Sequence, residues 1–267
     1  MEANGCYPMS GANAICVVTA LLETGTLPMV EPETTVRLDT AAGLIDVKVQ
    51  CENGSAIACT VSTPASFPVH LDHPIEVEDL GTLSTDVGWG GWYYGFVDAR
   101  KLGFSIQPDE ARDIAAVLRK VGNALKEQVS ISHPYDETIN QIDLGAFPFM
   151  TLDPEEGSNV HRFANMMPGG RIDRSPCGTG AAARAAVLHA RGKIKLNEEH
   201  IALSITDGEF KMLLRKQKTI QGTEVVMPEI TGRAFIYGTS QLFVNPEDPY
   251  QMGISLSDMW GEAARGC

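Results

Sequence analysis

Two segments of this chain place chemistry-bearing residues at what read as helix starts. Residues 177–194, CGTGAAARAAVLHARGKI, open on Cys177, a thiol followed directly by a glycine. Residues 10–27, SGANAICVVTALLETGTL, open on Ser10 and a glycine. Aligned without gaps, Gly11 falls on Gly178, Ala14 on Ala181, Leu21 on Leu188 and Gly25 on Gly192. Each copy runs from a small polar residue through a helical stretch to a glycine suited to the helix C-terminus. Free N–H groups and the positive end of the dipole favour an anion at such a start. The glycine lets a ligand approach the backbone closely. The same surroundings are expected to lower a thiol pKa and favour the thiolate. Two such starts facing each other would grip one carboxylate from both sides. They would also hold Ser10 and Cys177 on opposite faces of the carbon that carries it. A thiolate there is a base for the weakly acidic Cα proton of an amino acid, with the helix-end donors stabilising the enolate-like carboxylate. One acid/base on each face is what racemisation or epimerisation needs.

The elements that must position these residues repeat as well. TTVRLDTAAGLIDVKV, from Thr34, matches EHIALSITDGEFKMLL, from Glu199, with Val36 on Ile201, Leu38 on Leu203, Gly43 on Gly208 and Val47 on Met212. Both alternate apolar and polar residues around a glycine-containing turn, which predicts a β-hairpin. Each half therefore carries loop, helix and hairpin in the same order, and a chain of 267 residues has room for two lobes. Between Val87 and the second motif lie a strand-like run (92–97), a helix-like run (109–126) and further strands. Projected onto the first copy, these would fall ahead of Met1. The expected organisation is a truncated first lobe over residues 1–68 and a second lobe over 69–232. Residues 233–267 then form C-terminal strands and a tail that can return to the first lobe, with strands at 234–237 and 242–244.

The net charge of −13 argues against nucleic acid or anionic lipid as partner. No apolar run approaches a membrane span and no basic-then-apolar leader precedes the first motif. Six cysteines show no C-x-x-C pair and no zinc spacing, so reduced thiols and a cytoplasmic location are expected. Cys16 reads as helix core, Cys51 and Cys59 as bystanders flanking a hairpin turn, and Cys6 does not align with Cys177. No papain- or caspase-like sequence links His133, His161 or His189 to Cys177. The aromatic run 89–94 reads as sheet core.

DRSPCGTG, Asp173 to Gly180, resembles the second catalytic motif of proline racemases and hydroxyproline 2-epimerases, and PMSGAN, Pro8 to Asn13, is similar to the first. VGWGGWYYGFVDA from Val87, ISHP from Ile131 and GTSQLFVNPEDPYQMG from Gly238 extend the resemblance over nearly the whole chain. The resemblance implies an α/β (α+β) architecture: two pseudo-symmetric lobes of the diaminopimelate epimerase-like fold, with the site in the cleft between them. It implies no metal and no cofactor, a proline or hydroxyproline substrate, and it allows a homodimer. By the same resemblance Cys177 is the thiol acid/base. Gly178 and Thr179 offer backbone donors to the substrate carboxylate, Gly11 and Ala12 the opposing set, and Asp173 meets the ring nitrogen.

Three departures separate this chain from the family pattern. Ser10 stands where racemases carry a second cysteine, Ala12 where many members carry histidine, and the chain begins inside the expected first lobe. A hydroxyl is a far weaker acid than a thiol, and Ser10 also reads as a plain N-cap. Three functions stay open on the sequence: a cofactor-independent racemase or 2-epimerase, a trans-3-hydroxy-L-proline dehydratase using Cys177 as main base, and an inactive truncated member.

Overall fold

Alternating apolar residues build most of this chain into strands, and the two helix motifs interrupt them at the predicted places. A computed structural model describes residues 8–140, 145–155, 157–167 and 169–254. The first motif forms α1 (Gly11–Glu23) and its hairpin forms β1 (Glu33–Thr40) and β2 (Gly43–Glu52), followed by β3 (Ser55–Ser62). Val36 pairs with Val47 and Leu38 with Ile45, so the apolar residues of the hairpin share one face. Next come β4 (Phe67–Val77), β5 (Gly81–Trp89), β6 (Tyr93–Asp98), α2 (Ala111–Gln128) and a short α3 (Glu137–Asn140). Then follow β7 (Phe147–Leu152), β8 (Val160–Met167), β9 (Arg171–Ile172) and the second motif helix, α4 (Gly178–Ala190). The last elements are the predicted second hairpin, β10 (Glu199–Leu203) with β11 (Glu209–Ile220), and β12 (Thr223–Gly232).

These strands form one sheet in the order β1-β2-β3-β12-β11-β10-β8-β7-β6-β5-β4, with β9 attached to β8. Most neighbours are antiparallel; β6 with β7 and β8 with β10 are parallel. Parallel neighbours need a crossover, and helices supply both. On α2, Ile114, Leu118, Val121 and Leu125 make one buried stripe at helical spacing. The second crossover contains α4, and there the sheet curls back on itself. An isolated bridge between Ser66 and Val226 joins the start of β4 to β12. The strands from β12 round to β4 thus enclose α4.

Enclosure explains the composition of α4, GTGAAARAAVLHA, where small side chains let strands approach from every side. Every residue from Gly178 to Leu188 is buried, Arg184 included. On α1, by contrast, one face packs on β3 while Cys16 and Val17 stay exposed, Val17 at 47%. Cys16 is therefore not core, contrary to expectation, because α1 is covered on one side only. Cys51 and Cys59 are buried beside the β2–β3 turn. Cys6, Cys267 and the stretch leading into the first motif lie outside the described residues.

β3 pairs antiparallel with β12, where Ile230 lies opposite Val61 and the Thr60 and Thr231 hydroxyls meet at 2.8 Å. The strands expected at 234–237 and 242–244 do not form: residues 234–244 carry no helix or strand, and Phe235, Tyr237, Leu242 and Phe243 are exposed. A strand needs a partner edge, and among the described residues none pairs with this segment. Among the described residues no helix is long and apolar enough to cross a membrane.

Candidate active site

Both motif helices begin with amides that their own turns cannot use. In α1 the first intrahelical bond runs from the Ala14 amide to the Ser10 carbonyl at 3.0 Å, and in α4 from Ala181 to Cys177 at 2.8 Å. Gly11 and Ala12, and Gly178 and Thr179, are left as donors without an acceptor in their helices. The two starts touch. A β-carbon on Gly11 would lie 3.3 Å from the α-carbon of Gly178, and one on Gly178 would lie 3.2 Å from that of Gly11. Only glycine at both positions lets the helix ends meet this closely. Between them is a cavity of about 50 Å³. Ser10, Gly11 and Ala12 line it from one side, Asp173, Cys177, Gly178 and Thr179 from the other. The sequence-derived candidates, taken from segments far apart in the chain, thus surround one space.

Ser10 sits in extended backbone ahead of α1, and its hydroxyl accepts from the Asn13 amide at 3.5 Å, a long and weak cap. Cys177 differs. Its φ of 62° is in the left-handed region, unusual for a residue with a side chain and of the kind stored at functional sites. Ser175 holds it there. The Cys177 amide donates to Ser175 Oγ at 3.1 Å. The Ser175 amide and hydroxyl donate to the two carboxylate oxygens of Asp173 at 2.9 and 3.1 Å. The Asp173 amide donates to the Asn165 carbonyl at 2.8 Å, tying the loop to β8.

The Cys177 side chain is enclosed, with the residue 6% exposed. Its sulfur lies 3.4 Å from Tyr94 Oη on β6 and 3.4 Å from the Asn165 Nδ2 donor. Tyr94 Oη is also 2.7 Å from Thr179 Oγ1. Burial, reinforced by the Asp173 carboxylate, pushes the thiol up to about 12, and the donors Tyr94, Gly180 and Thr179 pull against that. The expectation that a helix start lowers this thiol is thereby corrected: burial and the Asp173 carboxylate outweigh the hydrogen-bond donors around the sulfur. Burial likewise holds the Tyr94 phenol well above its ordinary range.

Tyr94, Asn165 and Ser175 were not singled out from the sequence. Tyr94 sits in an aromatic run that reads as core, and Asn165 is one residue of a strand facing inward. Ser175 alone had a local signal, an Asp-x-Ser turn just before the motif. The histidines are engaged elsewhere. His189 Nδ1 is 2.8 Å from the Ile194 carbonyl, His161 lies between Asp153 and His200, and His133 packs on Phe67, Trp89 and Tyr135.

A cavity between two opposed sets of backbone donors, with a thiol on one side and a hydroxyl on the other, can hold a small carboxylate and exchange a proton at the adjacent carbon. The family model described as proline racemase matches residues 1–255. A 4-hydroxyproline 2-epimerase from Allorhizobium ampelinum is 38% identical over 264 residues, covering 99% of this chain and 75% of that protein. A crystal structure of a hydroxyproline epimerase from Agrobacterium vitis, with trans-4-hydroxy-L-proline bound, superposes with a TM-score of 0.85 at 37% identity, over 98% of this chain and 74% of that one. The phenazine biosynthesis protein of the PhzF family from Bacillus anthracis shares the fold alone, at a TM-score of 0.55 and 13% identity over 85% of this chain and 73% of that one.

Proposed function

The chain belongs to the proline racemase family, and on that premise we propose that it epimerises hydroxyproline, or racemises proline, at the α-carbon, with Cys177 as the principal acid/base. The observation that carries this reading is the contact of Gly11 with Gly178, which brings Ser10 and Cys177 to one cavity. The substrate carboxylate sits between the free amides of Gly11 and Ala12 and those of Gly178 and Thr179. Asp173 takes the ring nitrogen. The Cys177 thiolate removes the α-proton from one face as negative charge moves onto the carboxylate, where the opposed amides stabilise it. A proton delivered on the Ser10 face, from its hydroxyl or a water bound to it, completes inversion. In the reverse direction Ser10 or that water has to take the proton, which an unactivated hydroxyl does poorly.

That asymmetry favours a second reading for one substrate. Cys177 alone suffices for α-proton removal followed by loss of a β-hydroxyl, so trans-3-hydroxy-L-proline would be dehydrated. The Ser10 hydroxyl, which accepts a long bond from Asn13, supports this reading. Incubation with proline, 4-hydroxyproline and 3-hydroxyproline in deuterated water separates the two. Deuterium at Cα with inversion is expected for 4-hydroxyproline or proline, and loss of water from 3-hydroxyproline to a cyclic imine, in equilibrium with its ring-opened 2-oxo acid, marks the dehydratase. No Cα exchange on any of the three would overturn both.

A further inference from the structure

Cys177 must pass between thiol and thiolate in a pocket with little room for water, so nearby protein groups have to serve both states. Two hydroxyls do so by geometry. Tyr94 Oη lies 3.4 Å from Cys177 Sγ and 2.7 Å from Thr179 Oγ1, and Thr179 Oγ1 is 4.0 Å from the same sulfur. Either hydroxyl can donate or accept. With the thiol present, its S–H donates to Tyr94 Oη, and the phenol O–H donates to Thr179 Oγ1. Once the thiol has lost its proton both directions reverse: Thr179 donates to Tyr94 Oη, and the phenol donates to the sulfur. No heavy atom moves. Asn165 Nδ2 has no such freedom, because it can only donate.

We propose that Tyr94 is a positioning residue for Cys177: with Thr179 it forms a reversible hydroxyl pair that satisfies the sulfur both as thiol and as thiolate, so that one residue can act as acid and as base. The proposal rests on the reading of Cys177 as the acid/base. The surroundings of Tyr94 separate its two parts. Its ring packs among Phe96, Phe147 and Phe149, an apolar setting that would suit phenylalanine equally well. The hydroxyl, in contrast, lies among the site groups. A phenol this deeply buried stays protonated, so it remains a donor whenever the sulfur is charged. Thr179 also couples the pair to the carboxylate seat, since its amide is one of the free donors there.

Tyr94→Phe keeps the ring and removes only the hydroxyl. The thiolate is the species that reacts with iodoacetamide, so the Cys177 alkylation rate, followed by mass spectrometry of its peptide, reports the thiolate fraction. Near pH 8 that rate should fall about tenfold, the effect of a rise of about one unit in the thiol pKa. Thr179→Val should move it in the same direction, and Thr179→Ser should restore it. An unchanged rate in Tyr94→Phe would overturn the proposal, and so would Thr179→Val matching wild type. None of these measurements uses a substrate. A failure of the deuterium experiment therefore counts against the proposed reaction and not against the role of Tyr94.

Discussion

A serine and a cysteine lining one cavity are unequal partners. A thiol is a far stronger acid than an aliphatic hydroxyl, so in the same pocket a thiol can both give and take a proton, whereas a hydroxyl mainly donates. Replacing Ser10 by cysteine should therefore raise epimerisation or racemisation relative to dehydration of a 3-hydroxy substrate, by about tenfold or more in the ratio of rates. Product ratios measured by chiral chromatography decide the matter, with Cys177→Ala, expected to lose all Cα exchange, as the blank. A ratio unmoved by Ser10→Cys makes Ser10 an N-cap only. The residues of this site differed in how legible they were. Ser10, Gly11, Cys177 and Gly178 were found because the repeat aligns them and a glycine at a helix start has a physical use. Tyr94 and Asn165 reach the sulfur from β6 and β8, where alternation says only that a residue faces inward, not what it meets there. The pKa direction was misjudged for a related reason. A helix start is visible in sequence, but the depth at which it is buried is not.

Among the elements, α4 carries the most unusual demand, because a helix enclosed on all sides contains a cation. Arg184 resolves this by ion pairs with Asp86 on β5, at 2.9 Å, and with Asp153 just after β7. Burial raises the Asp153 carboxyl, but the His161 hydrogen bond and the Arg184 charge more than reverse this and hold it far below the usual range. Asp86 is lowered on balance too: burial opposes the change, while Arg191, the Asp72 amide and Arg184 drive it. Carboxyls whose folded pKa is depressed stabilise the fold above their unfolded pKa, and that contribution is lost as pH falls through the folded value. Stability to urea should therefore decline below about pH 4. Arg184→Met should cost about 3 kcal/mol at neutral pH by leaving Asp153 and Asp86 short of a buried partner. It should also flatten the acid limb, because the two carboxyls would no longer be held down by Arg184. A variant as stable as wild type with the same acid limb would show that Arg184 does not anchor α4. Helices and hairpins were readable from 3.6- and 2-residue periods, and the alanine-rich run marked α4 as buried. Closure of the strands around it was not, since it rests on a single bridge between Ser66 and Val226.

At the scale of the molecule, the repeat predicted two lobes, and the helix–hairpin order recurs as expected, but the two helices are covered to different degrees. Strands surround α4, whereas α1 leaves Val17 in solvent, β1 ends the sheet, and residues 234–254 carry no helix or strand. That last segment exposes Phe235, Tyr237, Leu242, Val244 and Phe243, the last at 85%. Exposed apolar side chains on a segment without strand partners invite association with another chain. A net charge of −13 opposes it, since two copies repel at a distance. The two effects depend differently on salt. Charge repulsion is screened beyond about 10 Å at 0.1 M ionic strength, while apolar burial is not weakened by such screening. Self-association should therefore be low in dilute buffer and rise with sodium chloride. Replacing Tyr237 and Phe243 together by serine should suppress that rise, because the attraction is removed while the charge is unchanged. Neither side chain is part of the core, so the thermal midpoint should stay within about 2 °C of the parent. Light scattering against salt, with both proteins at one concentration, tests this. Association that falls with salt would point to ion pairs as its cause, and association unaffected by the double substitution would place the sticky surface elsewhere, with the open face of α1 around Val17 next to be tested.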